Sequence, residues 1–153
     1  MTKRFGYIKE KQYLCNENEK LTYLLTKQIR EMVSKLGKTL TLTGASGKQY
    51  EFQLFSFDDY EEIKGYFNKV PALYIFVRLT IDRLRYEEVI YLGETGNVHT
   101  RYDNHHRENC IKSRNANCIG FYQEEGFGIE ANRKAAEKDL LDANIFHCNR
   151  ENN

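Results

Sequence analysis

The chain has 153 residues, 41% hydrophobic and 29% charged, with 23 Lys and Arg against 22 Asp and Glu. That length suits one domain burying about two thirds of the surface its unfolded form exposes, and the near-neutral charge excludes a global basic footprint for nucleic acid, so any such contact must be local. No apolar run approaches the roughly 20 residues of a membrane span, and the opening "MTKRFGYIKEKQYLCNENEK" lacks the apolar core of a secretory signal, so the expectation is a cytoplasmic protein without a membrane partner.

Residues 17 to 36, "ENEKLTYLLTKQIREMVSKL", set Leu21, Leu24, Leu25, Met32, Val33 and Leu36 near helical spacing, and Gly37 follows as a stop. A helix is expected, packed on the domain's own core or on a partner, so residues 1–38 read as a helical extension and 39–153 as the main domain. "TLTLTGASGKQYEFQLFSF" alternates apolar and polar residues around a Gly-rich turn and reads as a β-hairpin. Pro71 opens "ALYIFVRLT", a polar turn around "DRLRYE" comes next, and "EVIYLG" completes a second hairpin. Asn97 is placed to cap a polar helix running through His105. "NCIGFYQ" reads as a strand, and "GIEANRKAAEKDLLDAN" as a helix with Ile129, Ala136 and Leu140 on one stripe. The whole is an α+β (mixed) chain with a small antiparallel sheet flanked by helices.

Four cysteines, Cys15, Cys110, Cys118 and Cys148, are scattered without a C-x-x-C pair. In a reducing compartment they read as free thiols, and a metal alternative with His105 and His106 fits no standard zinc spacing.

Strand periodicity puts Leu73, Ile75, Val77 and Leu79 on one face and Tyr74, Phe76 and Arg78 on the other. In the partner strand Ile90 and Leu92 alternate against Val89 and Tyr91, so matching the aliphatic faces brings Tyr74 and Tyr91 onto one surface. Cross-strand aromatic packing explains such a pair as well as a site does. The residues after Tyr91 shift the balance: Gly93 and Gly96 let the chain turn out of the strand, and Arg101 and His105 share a helix face at i and i+4. Arginine offers a fork of donors suited to phosphate, and histidine moves protons near neutral pH.

At this point the chain resembles the GIY-YIG nucleases. "ALY" at 72–74 and "YLG" at 91–93 resemble the family's two motifs, "ETGNVHTRYDNHH" its turn and helix, and "AAEKDLLDANIFHCN" its glutamate-bearing helix and closing asparagine. The resemblance spans about residues 70–149. It departs at Ala72 and Leu73, which replace the first motif's glycine and isoleucine, and at Phe146, where a proline is usual.

The resemblance implies a catalytic set of Tyr74, Tyr91, Arg101, His105 and Glu137, with Gly93 and Asn149 matching the motif glycine and the terminal asparagine. It implies a divalent cation on Glu137, Mg2+ or Mn2+, and hydrolysis of nucleic-acid phosphodiesters, DNA foremost. Arg101 would clamp a phosphoryl oxygen, Tyr74 would take a proton from the attacking water, and Tyr91 and His105 would orient water or relay protons. Arg107, Lys112 and Arg114 are basic residues suited to binding nucleic acid. Without the family pattern Glu137 reads as a surface helix glutamate balanced by Arg133, Lys134 or Lys138. His99, His106 and His147 read as solvated side chains. Two other readings stay open: a silent binding module on the same fold, and a regulatory protein whose first 38 residues engage a second copy or a delivery partner.

Overall fold

The computed structural model describes residues 38–80 and 86–150, so the expected helix at 17–36, Cys15 and most of the "DRLRYE" turn lie outside the described residues. Five antiparallel strands, β1 (Lys38–Thr43), β2 (Gln49–Ser56), β3 (Ala72–Thr80), β4 (Tyr86–Thr95) and β5 (Cys118–Tyr122), form one sheet in the order β1-β2-β5-β3-β4. Both expected hairpins are present, and β5 joins them by pairing with β2 on one side and β3 on the other. The α+β class holds.

The first hairpin turns at "GASG", where Gly47 takes φ 89, a conformation open to glycine at little steric cost. Helix α1 (Phe57–Ile63) comes directly after β2, and its cap Ser56 accepts from the Asp59 amide at 3.1 Å. Helix α2 (Val98–Asp103) begins as expected at Asn97, whose side chain accepts from the Thr100 amide at 3.3 Å. It ends at Asp103 rather than His105, with Asn104 at φ -132 and ψ 57, so His105 stands just beyond the helix. Helices α3 (Glu108–Ser113), α4 (Glu130–Ala143) and α5 (His147–Arg150) complete the described chain. Among the described residues no helix is long and apolar enough to cross a membrane.

The sheet is covered on both faces. Leu54, Leu73, Ile75, Val77 and Leu92 pack beneath Ala136 and Leu140 of α4. The other face is aromatic: Phe55, Phe67, Tyr74, Phe76, Tyr91 and Phe121 are enclosed by Tyr60, Val98, Ile111 and Cys148. Tyr74 therefore belongs to a second buried layer instead of an open face, at 2% exposure. The expected stripe of α4 is also revised. Ala136 and Leu140 are buried, but Ile129 is 61% exposed, and Arg133 occupies the buried stripe instead.

The expected parity of β4 fails at one residue. Register shifts between Phe76 and Val77 of β3, so that Phe76 faces Tyr91 while Val77 faces Val89. Ile90 is the extra residue of a β-bulge, which carries it into the aromatic layer beside Tyr91 and turns Val89 toward the aliphatic layer. Tyr74 and Tyr91 remain on one face, as expected.

The cysteines depart from expectation as well. Cys110 of α3 and Cys148 of α5 form a disulfide across 38 residues of sequence, while Cys118 is free and buried. Geometry explains why sequence concealed the bond: α3 and α5 are distant in the chain but share the aromatic layer. Closing a loop of that length restricts the unfolded chain by about 3 to 4 kcal/mol. Treatment with dithiothreitol is therefore expected to lower Tm by roughly 10 °C or more, read by circular dichroism. A Cys110→Ser/Cys148→Ser double variant should melt at the reduced protein's temperature and ignore the reductant.

Candidate functional site

Five side chains from both layers of the fold converge beside β4. Tyr74 and Tyr91 have ring centroids 5.8 Å apart, and both close over Gly93. A methyl placed on Gly93 would lie 2.6 Å from the Tyr74 hydroxyl oxygen and 2.8 Å from Tyr91 Cε1, so the glycine makes the room in which the tyrosines meet. That is the visible work of the residue expected to approach substrate.

His105 packs among aromatic rings, 5.6 Å from Tyr74, 5.2 Å from Phe76 and 4.7 Å from Tyr91 between centroids, each edge to face. Its Nε2 is 2.8 Å from the Tyr74 hydroxyl. Its Nδ1 accepts from the Arg107 amide at 3.0 Å. A backbone N–H always donates, so Nδ1 carries the lone pair, and the single proton of the neutral ring sits on Nε2 and points at the Tyr74 oxygen. Burial, aided by His106, Arg101 and Arg107, lowers the His105 pKa to about 3 from an ordinary 6.5, so the ring is neutral at physiological pH.

The depressed pKa links folding to pH. The unfolded chain binds a proton at His105 below about pH 6.5 and the folded chain does not until about pH 3, so folding stability falls as pH drops through that window. Melting curves between pH 7 and pH 4 are expected to show a shallower fall in His105→Asn than in the native protein.

Arg101, on α2, is the cation common to the group. It lies within electrostatic reach of Tyr74, Tyr91, His105, His106 and Glu137. Burial raises the Tyr74 phenol well above its ordinary value, Tyr91 adds to the rise, and the charge of the Arg101 guanidinium opposes it. Burial also raises Tyr91, with Glu137 adding to the rise and Arg101 and Arg107 opposing it.

Glu137 reaches the group from α4 on the opposite layer. Two anchors fix that helix: Asp139 takes the Ser46 amide and hydroxyl, each at 2.8 Å, and Arg133 donates to Glu94 at 2.8 Å and to the Phe127 carbonyl at 2.8 Å. Arg133 thus pairs with Glu94, and the expected alternative of an Arg133–Glu137 pair gives way. The Glu137 carboxylate has its pKa raised by burial first and by the Glu94 charge second. Among the described residues no group of three or more His, Cys, Asp or Glu is arranged to hold a metal ion. Glu137 nonetheless fits a hydrated magnesium ion: it is a half-buried carboxylate crowded by a second one, and magnesium needs only one or two carboxylates while keeping waters of its own.

The remaining expected binders divide. Arg107 joins Arg101 in the field around Tyr91, His105 and His106. Lys112 pairs with Glu108 at 2.7 Å, and Arg114 donates to the His147 ring. Asn149 turns its amide to Leu92, accepting from the backbone N–H at 2.9 Å and donating to the carbonyl at 2.8 Å. The other histidines are not simply solvated. His99 meets the Lys64 carbonyl at 2.9 Å and Asp103 at 3.6 Å, and His106 stacks on His105 at 4.7 Å with its Nε2 3.4 Å from the Tyr91 hydroxyl. Sequence reasoning set His106 aside and did not single out Glu94; their only signal was adjacency to His105 and Gly93.

No family model matches the chain, and no curated protein or solved structure gives a match.

Proposed function

We propose that this chain is a divalent-metal-dependent endonuclease or nickase that hydrolyses phosphodiester bonds in nucleic acid, DNA foremost. One observation carries the reading: the Arg101 guanidinium acts electrostatically on two tyrosines, two histidines and a carboxylate drawn from both layers of the fold. The resemblance of the same residues to the GIY-YIG pattern supports it.

Each group has a part. Arg101 binds a non-bridging phosphoryl oxygen, where its fork of donors matches the developing charge. Tyr74, in the phenolate form that the Arg101 charge favours against burial, receives the proton of the attacking water and becomes the neutral phenol. His105, protonated on Nε2 and neutral, donates to the Tyr74 oxygen and fixes its direction; it is not the base. Glu137 holds the cation, and a bound Mg2+ (or Mn2+) would neutralise phosphate charge and ease departure of the leaving oxygen. Arg107 adds positive charge at the rim for the backbone of the substrate.

The test is incubation of the protein with supercoiled plasmid and magnesium or manganese, with and without chelator. Conversion to nicked or linear DNA that chelator prevents is the expected result. Retarded migration without cutting would replace the enzyme with a binding module built on the same site.

A further inference from the structure

Helix α5 has four residues, too few to persist on its own backbone bonds, so its place depends on what ties it to the rest of the fold. Three ties are visible. Cys148 is joined to Cys110 of α3. Asn149, the next residue, accepts from the Leu92 N–H at 2.9 Å and donates to the Leu92 carbonyl at 2.8 Å. Arg114, just after α3, donates to the His147 ring. Only the first tie is covalent, and the other two exchange for bonds to water. Leu92 lies between Tyr91 and Gly93, so the segment that the disulfide holds is seated directly on the strand carrying the site.

The two sulfurs differ in access. Cys148 is 0% exposed, within the aromatic layer, whereas Cys110 is half-buried at the edge of that layer. Thiol–disulfide exchange needs a thiolate to reach one of the two sulfurs, and here the sulfur within reach is that of Cys110.

We propose that the Cys110–Cys148 disulfide is a redox modification site that governs the seating of Asn149 on Leu92, with an external dithiol as its reductant. A thiolate of the dithiol attacks Cys110 Sγ, the bond to Cys148 breaks, and Cys148 leaves as a thiolate that takes up a proton. The second thiol of the reductant, as its thiolate, attacks its own sulfur in the mixed disulfide and expels Cys110, which is protonated in turn. Two electrons and two protons pass from the dithiol to the protein, and the dithiol becomes a disulfide. Oxidation by a disulfide reverses both steps.

With the bond open, the residues after Phe146, which stays anchored in the aliphatic layer, are held only by groups that water can replace. Asn149 then leaves Leu92, and the strand between Tyr91 and Gly93 loses its brace. The disulfide form holds the site in register; the dithiol form loosens it. The effect on cleavage rests on the phosphodiesterase reading, while the movement of Asn149 does not.

Nitrogen-15 correlation spectra of the whole protein with and without dithiothreitol, recorded below both melting temperatures, test the movement first. On reduction the Leu92 backbone amide and the Asn149 side-chain amide are expected to shift while the amides of β1 and β2 stay in place. Cys110→Ser/Cys148→Ser should give the reduced spectrum with or without the reagent. A Leu92 amide that ignores reduction, or a change spread evenly over all five strands, overturns the proposal whatever the plasmid assay gives. In that assay the dithiol form should cut at least about tenfold more slowly than the disulfide form, because misplacing a reacting group by a fraction of its own length costs that much or more. Equal rates for the two forms would refute control of the site and leave the enzyme reading intact. An inert native protein whose Leu92 and Asn149 signals respond as expected would refute the enzyme reading alone.

Discussion

Glu137→Gln is expected to reduce magnesium-dependent plasmid cleavage at least about 100-fold while the protein melts no lower than the native chain. The two halves of that result have one cause. In the fold, burial and the Glu94 charge disfavour the ionised carboxylate, which raises its pKa. A group whose folded pKa is raised in this way opposes folding once pH exceeds its unfolded value, so at neutral pH the native glutamate is destabilising. Glutamine keeps the length and shape of the side chain without the repulsion from Glu94. The charge that burdens the fold is the one that would hold a hard cation in the proposed reaction, a familiar exchange of stability for activity. Cleavage by Glu137→Gln equal to the native rate would remove the carboxylate from the mechanism. A large fall in Tm would show instead that Glu137 is structural.

Gly93→Ala is expected to abolish cleavage and to destabilise the fold by about 1 to 3 kcal/mol. The added carbon would lie 2.6 Å from the Tyr74 oxygen, 2.7 Å from Tyr74 Cζ and 2.8 Å from Tyr91 Cε1, all inside van der Waals contact. Relief is difficult. Tyr74 is 2% exposed with its hydroxyl fixed by His105, and β4 is paired to β3 at this residue. Either tyrosine must swing away, or the strand must separate from its neighbour. Thermal melting with tyrosine fluorescence would read both effects. A variant that cuts normally would mean that the tyrosines need not meet.

Periodicity and punctuation made much of this legible in the sequence. Alternation disclosed both hairpins, Asn97 announced α2, and the charged face of residues 130–143 marked α4. The same reading placed Tyr74 and Tyr91 together and grouped them with Arg101 and His105, whereas Glu137 joined them only through the resemblance to the GIY-YIG pattern. It failed where tertiary constraint overrides local pattern. A bulge at Ile90 reverses parity for one residue, and nothing in "EVIYLG" marks it. The end of α2 at Asp103 depends on Asn104 leaving helical geometry so that His105 can enter the aromatic layer. Arg133 looked like the solvated face of a helix, but Glu94 and the Phe127 carbonyl await it on the sheet side. Helix α1 had a readable signal in Ser56 and Asp59, a capping pair that the aromatic-rich flank obscured. Disulfide partners are set by the packing of α3 against α5, which no spacing rule reports.

Asn149 shows how the protein treats the outer margin of its sheet. Among the described residues strand β4 ends the strand order, so alternate backbone groups along it point away from β3 with no described strand to join. Such a row is a template on which another chain can polymerise as an added strand. The Asn149 amide copies the donor and acceptor of one further residue and seats them on Leu92, between Tyr91 and Gly93. A single side chain therefore occupies, at Leu92, the donor and the acceptor that an added strand would otherwise take on this margin.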